Sequence, residues 1–98
     1  MTDKERLAIL EAVVRDQEQV VEEIEKELQG MESQLAKLSL KLELLSGKGR
    51  GLPGIDSEVR SLEGEAAMFE MNARETRRRL ELHTEILHLL RTTLVEWQ

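Results

Sequence analysis

The sequence predicts an all-α protein, two long helices folded as one antiparallel coiled-coil hairpin, with further pairing into a four-helix bundle expected. Three observations carry this: an apolar heptad repeat on both sides of a single break, a Gly/Pro cluster forming that break, and little that favours strands. Charged residues make up 35% of the 98 positions, and Phe69 and Trp97 are the only Phe, Trp or Tyr residues. Glu, Leu, Lys and Arg in such proportions with a 3.5-residue repeat belong to long helices. The expected organisation is one hairpin domain over 1–98, with a helix at 3–46, a loop at 47–56 and a helix at 57–97.

The first helix opens on Thr2-Asp3-Lys4-Glu5, a capping-box pattern in which the Thr2 hydroxyl accepts from the Glu5 amide and Glu5 reaches back. Leu7, Val14, Val21, Leu28, Leu35 and Leu42 then occupy a positions, and Leu10, Gln17, Ile24, Met31, Leu38 and Leu45 occupy d positions. Gln17 alone among these is polar, so the stripe faces a partner along its whole length. Ser46-Gly47 offers a C-cap with glycine in the left-handed region.

Gly47-Lys48-Gly49-Arg50-Gly51-Leu52-Pro53-Gly54 cannot continue a helix and reads as a hairpin tip. A phosphate-loop reading fails, because the Gly-Lys-Ser/Thr ending and the preceding strand are both missing. Asp56 or Ser57 is the expected cap of the second helix, with Glu58 in its first turn. There Val59, Ala66, Ala73, Leu80, Leu87 and Leu94 are a positions, and Leu62, Phe69, Thr76, His83, Leu90 and Trp97 are d positions.

Neither stripe is buried by a lone helix, and a short loop sets the two antiparallel. Facing a with d gives layers from Leu45–Val59 beside the loop, through Val21–His83 and Gln17–Leu87, to Leu7–Trp97 at the open end. One flank then pairs Lys41 with Glu65, Glu27 with Arg79 and Val20 with Ile86. The other pairs Glu25 with Arg77 and Glu11 with Arg91, and sets Glu32 against Glu70.

The same numbers exclude several functions. The chain has no cysteine, hence no disulfide, thiolate nucleophile or cysteine-ligated zinc. No apolar run approaches the ~18–20 residues that span a bilayer, and the N-terminus lacks a signal-peptide core. The expectation is an intracellular, soluble protein, cytoplasmic by default, with nuclear or cytoskeleton-associated placement as variants. A net charge of −6 opposes general nucleic-acid binding. No triad, paired carboxylates or metal-ligand spacing occurs, so no enzyme activity, cofactor, metal or small-molecule substrate is expected.

Surplus hydrophobicity marks the candidate interface. Ile9, Val13 and Val20 on the first helix share a flank with Leu82, Ile86 and Leu89 on the second, and a two-helix hairpin has no internal use for them. The expected partner is a second copy or the helical subunits of a larger complex. The alternative role is a small chaperone or adaptor for an amphipathic segment. Leu40, Leu44, Met68 and Met71 point away from the seam and form a weaker candidate contact near the loop.

Arg74, Arg77, Arg78 and Arg79 form a basic cluster, of which Arg74 and Arg78 are the weak candidates for an anion contact. Solvated charge and pairing with neighbouring glutamates is the favoured reading of that cluster. His83, a d-position residue, either sets register or makes a pH-sensitive layer, and a half-exposed ring reaching water is the simplest reading. Heptads are shared by many unrelated proteins, so the pattern names no family.

Overall fold

A computed structural model describes residues 1–98. It contains two helices, α1 (Asp3–Gly47) and α2 (Ile55–Trp97), and no strand. Contacts between the two make a helical hairpin. They group the residues into two compact units: a terminal unit of Met1–Glu27 with Thr76–Gln98, and a loop unit of Leu28–Glu75.

In the terminal unit the helices run antiparallel. Residue numbers rise on α1 as they fall on α2 through Arg6 with Trp97, Gln17 with His83, and Glu27 with Arg79. Leu10, Val14, Val21 and Leu87 form the buried cluster, against which Leu80, Leu90 and Leu94 pack. All seven are a or d residues, so the heptad pattern sets which face is buried. Ile24 is covered to 3% exposure and the d-position Thr76 also to 3%.

The loop unit is more thinly covered. Leu62 and Ala73 are buried there, while Leu35, Leu38, Leu42, Leu45, Val59 and Phe69 stay partly exposed. Two helices cover each other from one side only, and large side chains at the seam keep an edge in water.

The helix ends differ from the sequence expectation at three places. The Thr2 hydroxyl accepts from the Glu5 amide at 3.1 Å, which is one half of the expected capping box. At the other end, however, Gly47 is the last residue of α1 and is not in the left-handed region. The Lys48 and Gly49 amides both donate to the Leu44 carbonyl at 2.8 and 3.3 Å, and Arg50 Nε donates to the Ser46 carbonyl at 3.2 Å. An arginine from the loop therefore occupies the carbonyl end of the helix, where its charge complements the dipole.

The connection is also shorter than 47–56, and α2 begins at Ile55 instead of 57. Two successive turns replace the open tip. The Leu52 amide donates to Gly49 O and the Ile55 amide to Leu52 O, both at 3.2 Å. Gly51 and Gly54 sit at the third position of each turn with φ of 89° and 76°. A positive φ at that position is the type II pattern, which glycine accommodates, and Pro53 presets the second position of the second turn. Gly54 O then accepts from the Glu58 amide at 3.3 Å, so Gly54 takes the cap position expected of Asp56 or Ser57. Asp56 and Glu58 fall in the first turn, where carboxylates favour the dipole.

Candidate protein interface

The side chains above the seam of the terminal unit fall on two unlike flanks. One cleft is lined by Val21 and Leu87 together with Glu18, Glu25, Thr84 and Arg91. Here the a positions open toward charged e positions. A second cleft is lined by Ile9, Leu10, Val13, Trp97 and Arg6. Here the d positions open toward g and c positions, and those are largely apolar.

All six candidate residues match that second flank in character, and none belongs to the buried core. Ile9, Val13, Leu82 and Leu89 are 51%, 40%, 56% and 64% exposed, and Val20 and Ile86 are half-buried. Val20 and Ile86 sit at the g positions bordering the seam, which covers one side of each. The Glu27–Arg79 ion pair at 3.5 Å terminates the apolar strip, as the flanking register predicts.

The opposite flank corrects one expected pair. Arg91 binds Glu18 at 3.3 Å, one heptad beyond Glu11. Helical side chains lean toward their own N-terminus, so in an antiparallel pair two residues set further along both helices lean toward each other. Matching by Cα level alone misses this lean.

Sequence reasoning also placed Gln17 opposite Leu87 and Val21 opposite His83, and missed the bond between the two polar residues. The Gln17 amide nitrogen donates to the His83 backbone carbonyl at 2.9 Å and lies 3.1 Å from His83 Nδ1. Since the nitrogen end of Gln17 must face the carbonyl, Nδ1 receives its second N–H and is the acceptor. With Nδ1 accepting, the N–H that the ring can donate is at Nε2. Neither the Gln17 oxygen nor the His83 Nε2–H has a hydrogen-bond partner within the chain.

Trp97, drawn in the open-end layer with Leu7, is covered in part by the neighbouring Arg6. It remains 43% exposed, and the Arg6 guanidinium lies over its ring at 4.7 Å from the centroid. The cation covers the indole face that a terminal seam position leaves open.

Elsewhere, Leu40, Leu44, Met68 and Met71 are exposed in the loop unit. Arg74 is engaged by Glu70 on the preceding turn at 3.1 Å, and Arg78 is exposed. The same bond gives Glu70, drawn as repelling Glu32, a cation on its own helix. No group of three or more His, Cys, Asp or Glu side chains has metal-binding geometry. No helix is long and apolar enough to cross a membrane.

Comparison with protein-family models, curated proteins and solved structures gives no match to this chain. The functional reading accordingly rests on the chemistry of the d/g/c flank.

Proposed function

We propose that this chain is a non-enzymatic coiled-coil structural module whose work is protein–protein association, through the flank of Ile9, Val13, Val20, Leu82, Ile86 and Leu89. The single observation behind the reading is the exposure of large aliphatic side chains from both helices on one flank, beside a seam that is itself incompletely covered. Contiguous apolar surface of that kind is stabilised by covering it, and helices already aligned along it make a groove for one or two further helices. Completion as a four-helix bundle is the simplest way to cover both partners at once.

The test compares wild type with Ile86→Glu. Average mass is measured across a concentration series, and binding to amphipathic helical peptides is measured in parallel. The substitution should leave helix content nearly intact while lowering mass or abolishing peptide binding. Unchanged mass and unchanged binding would rule the flank out as an interface.

A further inference from the structure

We infer that the occupant of this flank is a second copy of the chain, with α1 of each copy lying against α2 of the other and His83 Nε2–H of each donating to the Gln17 side-chain oxygen of its partner. The inference rests on the association reading above and names its partner and register.

The polar groups left over at the flank carry the argument. Gln17 and His83 are d-position residues, and the repeat sets d beside g and c on the apolar flank, as Leu10 lies beside Ile9 and Val13 in the cleft at the open end. Gln17 uses its amide nitrogen on His83 and keeps an acceptor; His83 uses Nδ1 and its carbonyl and keeps a donor. A purely apolar helix laid over this spot would strand both groups away from water. A copy related by a twofold axis parallel to the helices brings a matching acceptor to each donor at the same level. That reciprocity, residue i on j and j on i, is what an isologous interface requires.

Charge favours the same arrangement. Within the terminal unit, residues 1–27 carry nine acidic and four basic side chains, whereas 76–98 carry three acidic and four basic. The parallel axis sets each acidic α1 stretch against the mildly basic α2 stretch of the other copy. An axis across the helices would set α1 against α1, acid against acid. Apposing the six aliphatic side chains and their d-position neighbours from two copies removes on the order of 1,000 Å² from water, where specific interfaces begin.

The experiment is sedimentation equilibrium on the full chain as wild type, Leu89→Glu, Gln17→Leu, His83→Leu and the Gln17→Leu/His83→Leu double variant, with helix content and melting followed below the association range. Each single leucine variant leaves one polar side chain per copy without its partner and should weaken self-association about tenfold or more. The double variant removes the mismatch and should recover it. Because the chain has no cysteine, Val20→Cys and Ile86→Cys chains can be mixed and oxidised. Disulfides should join chiefly Val20→Cys to Ile86→Cys chains.

If both single leucine variants associate like wild type, or if Val20→Cys chains join mainly to each other, the second-copy register is overturned. A monomeric wild type that binds other helices in an Ile86-dependent way overturns it too, yet leaves the association reading standing. Full association by Leu89→Glu overturns both.

Discussion

A Cβ added to Gly49 would lie 2.6 Å from the Leu45 carbonyl oxygen, because the chain turns back directly over the last carbonyls of α1. Backbone stands on both sides of that contact, so a rotamer change cannot relieve it. Gly49→Ala should therefore destabilise the hairpin by ~1–3 kcal/mol. Gly64→Ala, where a Cβ meets nothing within 4 Å inside a helix, should stabilise it by ~0.5–1 kcal/mol. Thermal melts of the two variants should move in opposite directions.

Ile24 and Leu40 are both aliphatic residues of α1 with opposite fates. Ile24→Ala should cost ~2–4 kcal/mol in a urea titration followed by circular dichroism, because the side chain is enclosed. Leu40→Ala should change stability by less than ~0.5 kcal/mol. Equal effects would mean that the heptad phase is wrong.

The Glu18–Arg91 pair predicts a measurable coupling. In a double-mutant cycle with glutamine at both sites it should be ~0.2–1 kcal/mol, since both side chains are half in solvent. The same cycle on Glu11 and Arg91 should give no coupling. High salt should erase the first value.

Arg6 shields Trp97, the sole tryptophan, so fluorescence reports on this end of the hairpin alone. Arg6→Gln should raise quenching of Trp97 by acrylamide while lowering stability by no more than ~0.5–1 kcal/mol. Quenching equal to wild type would show that the stacked geometry is not held in solution.

The buried faces were legible because burial follows Cα periodicity, and a heptad states that directly. Val14, Val21, Ile24, Leu62, Ala73 and Leu87 are all where the repeat puts them. What escaped depends on finer geometry. Gly54 displaced Asp56 and Ser57 as the cap because a Pro-Gly type II turn delivers its own carbonyl to the helix start. Arg91 chose Glu18, and Gln17 reached His83, because long side chains sample neighbouring layers. The apolar flank was legible as composition, yet its polar pair emerged only from the direction in which the Gln17 amide points.

The placement of the buried cluster bears on how the chain reaches its native state. Gln17 and His83 are 66 residues apart, and Leu10 and Leu87 lie further still. Contacts near the turn close small loops but bring thinly covered layers together, whereas the strongest packing joins the ends of the chain. Zippering outward from the turn therefore runs uphill in loop entropy before its largest return arrives. The hairpin should fold more slowly than its helix content implies, with amide protons near Val21 and Leu87 outlasting those near Leu42 in hydrogen exchange.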